Sequence, residues 1–127
     1  DDPSPQVRRE LAIALRGEKS SDAASLWTEL ALAHDGKDRW YLEALGIGAE
    51  GQWNEFFDAW RKRVGEHWNQ PRHHDIIWRA RTPAACQFLS QLIREAETVE
   101  AQERYFRAFD FHEGNQKQSA LAAIVAE

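Results

Sequence analysis

Apolar residues recur at helical spacing along almost the whole chain, and no stretch alternates polar and apolar residues for long enough to make a strand. In the second segment Ala23, Leu26, Trp27, Leu30 and Ala31 fall at i, i+3, i+4, i+7 and i+8, a full amphipathic face. Trp53, Phe56, Phe57, Trp60 and Val64 make a second such stripe, and Ala85, Phe88, Leu89, Leu92, Ile93 and Ala96 a third. Weaker stripes run from Pro5 to Arg16, through Tyr41, Leu42, Ala44, Leu45 and Ile47, through Ala101, Tyr105, Ala108 and Phe109, and through Ala120, Leu121, Ile124 and Val125. This pattern requires an all-α protein.

The punctuation agrees. Gly17, Gly36, Gly51, Gly65 and Gly114 follow the stripes as helix ends, and Ser20-Ser21-Asp22, Asp38 and Thr98 precede them as candidate caps. Asp35-Gly36-Lys37-Asp38 reads as a turn running into an N-cap, since the later acidic ligands of a calcium loop are missing. Gly46 and Gly48 stand inside a helix, where each costs about 1 kcal/mol relative to Ala. Close approach of another helix is the expected compensation. Glu66 to Thr82 is the least regular stretch, with a short helical piece expected around Asp75 to Arg81. The count is about seven short helices in one domain over residues 1–127.

A repeat underlies them. Aligning Tyr41 with Tyr105 also pairs Leu42 with Phe106, Ala44 with Ala108, Leu45 with Phe109 and Ile47 with Phe111. Ala12, Ile13 and Leu15 fit the same frame, and Asp75 to Arg81 can stand for a middle unit. The corresponding alanines are Ala12, Ala44, Ala80 and Ala108, separated by 32, 36 and 28 residues. Two-helix units at this period are the mark of an α-solenoid, an α-α superhelix; the alternative is a non-repetitive helical bundle in which these matches arise by chance.

The strings Asp35-Gly36-Lys37-Asp38-Arg39-Trp40-Tyr41-Leu42-Glu43-Ala44-Leu45-Gly46-Ile47, Asp75-Ile76-Ile77-Trp78-Arg79 and Arg104-Tyr105-Phe106-Arg107-Ala108-Phe109-Asp110-Phe111 resemble the HEAT-like helical region of large exported, membrane-bound dehydrogenase-like, haem-binding proteins of planctomycete-type bacteria. In that family a sugar-dehydrogenase-like propeller commonly lies upstream and a c-type cytochrome domain downstream. The resemblance therefore implies a HEAT-like fold, an exported, periplasmic or membrane-associated location, and a scaffold contacting adjacent domains or another protein. The family's haem site is Cys-x-x-Cys-His, whereas the single Cys86 is followed by Gln87-Phe88-Leu89, so no catalytic residue, metal ligand or cofactor carries over.

Composition narrows the rest. With 127 residues the chain can bury a core without staples, and one Cys excludes an intrachain disulfide framework. No apolar run reaches the roughly 20 residues of a membrane span. Asp1-Asp2-Pro3-Ser4-Pro5 is not a signal peptide, and with no Met in the chain the expectation is a mature or excised piece of a larger protein. A solenoid cut from a longer array would expose apolar ends and could self-associate through them.

A net charge of −5 argues against a dedicated nucleic-acid binder, yet residues 61–81 carry six cations against Glu66 and Asp75. The candidate interaction surface is Arg61, Arg63, Trp68, Arg72, His73, His74, Arg79 and Arg81. A basic face of this kind could take an anionic ligand or a nucleic acid; its alternative is a solvated helix side with structural ion pairs. His67, His73, His74 and Asp75 could form a metal site, but adjacent histidines on a helix point about 100° apart. His34 and His112 stand near helix ends, where a dipole role is the simple account. Trp40, Trp53, Trp60, Trp68 and Trp78 could wall a binding site, but the spacing of Trp53 and Trp60 favours core packing, with Trp68 and Trp78 the better candidates for exposure. Cys86, beside the Phe88 face, reads as a small buried apolar residue.

Overall fold

The computed structural model of the chain describes residues 4–126; Asp1–Pro3 of the proline-containing start lie outside the described residues. Among the described residues eight α-helices follow one another: α1 Pro5–Ala14, α2 Ser21–Leu32, α3 Arg39–Ala49, α4 Trp53–Val64, α5 Pro71–Arg79, α6 Cys86–Glu95, α7 Val99–Ala108 and α8 Asn115–Val125. Short 3-10 turns occupy Gly65–Trp68, Pro83–Ala85 and Phe109–Phe111, and no strand occurs among the described residues.

The caps explain the starts. Ser4, Ser20, Asp38 and Thr98 are N-caps whose side-chain oxygens accept from the backbone N–H of Val7, Ala23, Tyr41 and Ala101. Asp35 accepts from the N–H of Lys37 at 2.7 Å and of Asp38 at 3.0 Å, a side-chain turn that delivers Asp38 to its cap. Those two bonds hold the Asp35 carboxyl below its usual range.

The one misplaced helix is α5, which begins at Pro71, four residues before Asp75, where the sequence pattern starts it. Its inward stripe is His73, Ile76 and Ile77 at i, i+3 and i+4, all buried. A polar His at the first inward position hides the amphipathic face, and Pro71 is a helix starter here because its missing N–H would have had no helical partner.

The chain divides into two compact units, residues 1–79 and 80–127. In the first, α3 packs between α1 and α5, and α2 packs on α4. Gly48 is where α1 and α3 meet: a Cβ there would lie 1.9 Å from the Ala12 carbonyl oxygen. Gly46 is covered by the Arg79 guanidinium of α5, within 2.5 Å of where a Cβ would be. The two in-helix glycines thus serve the close approaches expected of them. Between α2 and α4 lies an aromatic core. Trp27 is fully buried, edge-on to Trp53 at 5.5 Å and beside Phe56 at 5.6 Å. Buried polar groups cross-link the helices: Trp27 Nε1 donates to the Leu45 carbonyl at 3.0 Å, Gln52 Nε2 to the Leu15 carbonyl at 3.1 Å, and the Tyr41 hydroxyl to the Leu30 carbonyl. In the second unit α6 packs on both α7 and α8, burying Phe88, Leu89, Leu92 and Ile93 with Tyr105, Phe109 and Ala120. The four alanines aligned in the sequence, Ala12, Ala44, Ala80 and Ala108, are all buried.

Candidate functional site

The basic segment is distributed over several elements. Arg61, Lys62 and Arg63 fill the last turn of α4, where cations suit the helix's carbonyl end, and all three are exposed. Lys62 pairs with Asp58 at 3.0 Å one turn back, and Arg63 reaches Glu29 of α2 at 3.6 Å. Surface pairs of this kind are worth about 0–1 kcal/mol. Trp68 is half-buried in the 3-10 turn after α4, and Arg72 is exposed on the first turn of α5. His74 Nε2 donates to Asn69 Oδ1 at 2.7 Å.

His73 is not a surface residue. It is 2% exposed, and its ring stands edge-on to Trp60 at 5.6 Å. Burial, then the nearby charges of Arg72 and His74, pushes its pKa below the ordinary histidine value. Arg79 is also largely enclosed, pairing with Glu43 of α3 at 3.4 Å, so it ties α5 to α3 as it covers Gly46. Arg81 belongs to the second unit, where its guanidinium lies 3.9 Å from the centroid of the Phe111 ring. Among the eight candidates, Arg61, Arg63 and Arg72 are exposed, while Arg79, His73 and Arg81 are engaged in packing.

The histidines take separate partners. His34, with a buried side chain, donates from Nε2 to Asp75 Oδ2 at 2.9 Å and stacks on Tyr41, joining the end of α2 to α5 and α3. His112 is buried in the second unit against Phe109. Burial, then Arg81 and Lys117, lowers its pKa, while a hydrogen bond to the Ala80 backbone opposes the shift. Both residues are thus packing groups with specific partners rather than exposed helix-end charges. No three metal-donor side chains gather among the described residues.

Trp27, Trp53 and Trp60 are core residues, as the spacing of the latter two implied. Trp68 and Trp78 are half-buried, and the exposed indole is Trp40, at 74%. Cys86 is fully buried, and burial pushes its thiol pKa up, so it is no ready nucleophile.

The sequence pattern did not single out a cleft of about 540 Å3 between α6 and α8. It is walled by Gln87, Ser90 and Arg94 of α6, by Pro83 and Ala84 just before that helix, and by Asn115, Gln116, Ser119, Ala120 and Ala123 of α8. Its signal in the sequence is a polar stripe, Gln87, Ser90 and Arg94 at i, i+3 and i+7, beside the apolar one. A second cleft of about 440 Å3, in the first unit, is bordered by Ser20, Ser21, Ala24, Gln52, Glu55 and Asp58.

No family model, curated protein or solved structure matches the chain.

Proposed function

We propose that the chain is a non-catalytic helical-repeat module, a HEAT-like α-α superhelix that holds protein partners together, and that it serves as a scaffold within a larger exported redox protein. The observation that carries this reading is the layering of the first unit. Helices two apart in sequence pack on each other, α1 on α3, α3 on α5 and α2 on α4, and two close approaches fall at glycines of α3, Ala12 against Gly48 and Arg79 over Gly46. Stacking each helix on the next but one is how two-helix repeats build a continuous core. Packing of α6 on α8 repeats the relation within the second unit. The motif strings around Asp38–Ile47 and Arg104–Phe111 support the redox-protein context through the family they resemble.

The coding sequence around the chain provides the test. A Cys-x-x-Cys-His downstream is expected, and the flanking segments, produced separately, should bind the 127-residue chain at micromolar concentration or tighter. Flanking segments that show no binding would overturn the scaffold reading. Stoichiometric uptake of haem or pyrroloquinoline quinone by the chain itself would overturn its non-catalytic part. Duplex DNA binding that weakens steeply with salt would instead favour the cations of residues 61–81 as the working surface.

A further inference from the structure

Lys37 and Arg39 flank the Asp38 cap at the start of α3, and no acid stands in the first turn of that helix. The positive end of the helix dipole makes this an unfavourable place for cations. Both are exposed, and neither forms an ion pair among the described residues. The neighbouring acids are taken up by the turn itself. Asp35 accepts from the N–H of Lys37 and of Asp38, and Asp38 accepts from the N–H of Tyr41 and pairs with Arg9 at 3.6 Å. Arg72 joins from α5: its Cα lies 3.2 Å from where a Cβ on Gly36 would be, and it too is exposed without an ion pair among the described residues. Beside these cations Trp40 is 74% exposed, and its ring meets no other ring or cation among the described residues. Trp is enriched at the centres of protein–protein contacts.

The start of α7 is the reverse. Glu97 and Glu100 bracket the cap Thr98 and Val99, both acids exposed and without an ion pair among the described residues. No cation lies in residues 95–103. Val99 is 63% exposed, and Phe106, 42% exposed, stands seven residues on, on the same face of the helix. Glu103, between them, pairs with Arg107 at 3.5 Å, an exposed pair worth little.

We propose that the chain binds a second copy of itself head to tail, the Trp40 surface in the first unit of one copy against the Val99–Phe106 face in the second unit of the other. Cations then meet anions, and the indole is covered by Val99 and Phe106. Charge sets the direction: Trp40 surface on Trp40 surface would oppose cations to cations, and α7 on α7 anions to anions. The two patches are different surfaces of one chain, so the contact is heterologous and continues from copy to copy. The net charge of −5 repels copies at a distance, but a Debye length of about 10 Å at about 0.1 M salt screens that repulsion and leaves charges in contact. Patches this small give a weak contact, with a dissociation constant of about 100 μM. It forms whether or not flanking segments bind the chain.

Sedimentation equilibrium of the 127-residue chain from about 10 μM to about 1 mM tests the proposal. At about 0.1 M salt the average mass is expected to rise with concentration above that of one chain. At about 1 M salt, where the Debye length is about 3 Å, the association is expected to weaken about tenfold. Trp40→Ala, Arg39→Glu and Glu100→Arg, all at exposed positions, are each expected to weaken it about tenfold or more while circular dichroism shows the helices retained. Lys37→Glu replaces Arg39→Glu if the latter disturbs α3. An equimolar mixture of Arg39→Glu and Glu100→Arg is expected to recover the original association, because each variant supplies the charge that the other then needs. A single-chain mass over the whole range would overturn the proposal. So would association that about 1 M salt leaves unchanged, undiminished association in Trp40→Ala, or a mixture that associates no better than its two components alone.

Discussion

The two units are built from the same kind of helix and filled very differently. All six Trp fall in residues 1–79 and none in residues 80–127. In the first unit α4 presents Trp53, Phe56, Phe57 and Trp60 inward, so the α2–α4 interface is filled by large rings. In the second, α8 presents alanines to α6, and Ala120 is its one buried residue. Small inward side chains leave volume between helices, and the larger cleft is found there, with an unsatisfied hydroxyl on its wall. Both units hold a cleft, about 440 Å3 beside the α2–α4 rings and about 540 Å3 between α6 and α8, so the contrast lies in what fills the interface, large rings in one and alanines in the other.

The largest effect expected from breaking this contrast is at Trp27. Trp27→Ala removes a fully buried ring and the indole N–H bond to the Leu45 carbonyl, and should cost about 3–5 kcal/mol. Urea unfolding followed by circular dichroism measures it, and a loss under about 1 kcal/mol would remove Trp27 from the centre of the first unit.

Gly48→Ala comes next, and here the sign is informative. In an exposed helix the change would stabilise by about 1 kcal/mol. At the α1–α3 contact the added methyl meets the Ala12 carbonyl oxygen at 1.9 Å, so overpacking should win and destabilise by about 1–3 kcal/mol. A rise in melting temperature would mean that α1 and α3 are not in close contact.

Acid sensitivity probes both units at once, through one buried His in each. His73 and His112 have folded pKa values below the ordinary 6.5, by burial first and then by Arg72 and His74 for the former, Arg81 and Lys117 for the latter. Above 6.5 both states are neutral, and these groups leave stability unchanged with pH. Below it the unfolded chain takes up protons that the folded chain refuses, so stability falls as pH drops toward the folded values. His73→Gln and His112→Gln should each flatten part of the fall in melting temperature from about pH 7 to 5. An unchanged slope in both variants would place these rings in contact with water.

Local chemistry made most of the fold legible. Asp38 and Thr98 cap the helices they precede, α3 carries the stripe from Tyr41 to Ile47, and the two in-helix glycines mark close contacts. Legibility failed where a residue's role depends on a distant partner. His73 reads as polar until Trp60 is seen against it, and Asp75 reads as a metal ligand until His34 is found 2.9 Å away. Trp40 sits inside the most distinctive motif and is the exposed indole, because helical phase and not residue type sets burial. The cleft escaped for another reason: alanines match a helical stripe as well as leucines do, and periodicity carries no information on volume.

The smallest effect belongs to Ala123→Leu, and it bears directly on the contrast between the units. Ala123 is half-exposed at the wall of the α6–α8 cleft, so added methylenes enter open space rather than a packed neighbour. Leu and Ala are both good helix formers, so backbone propensity changes little. Partial burial of the new side chain offsets its lost rotamer freedom, and the net change should lie within about 0.5 kcal/mol of zero, on the stabilising side if anything. Comparing its urea midpoint with that of Gly48→Ala sets an addition in the loose unit against one in the tight unit. If Ala123→Leu cost as much as Gly48→Ala, the α6–α8 interface would be as full as α1–α3, and the cleft would not exist in solution.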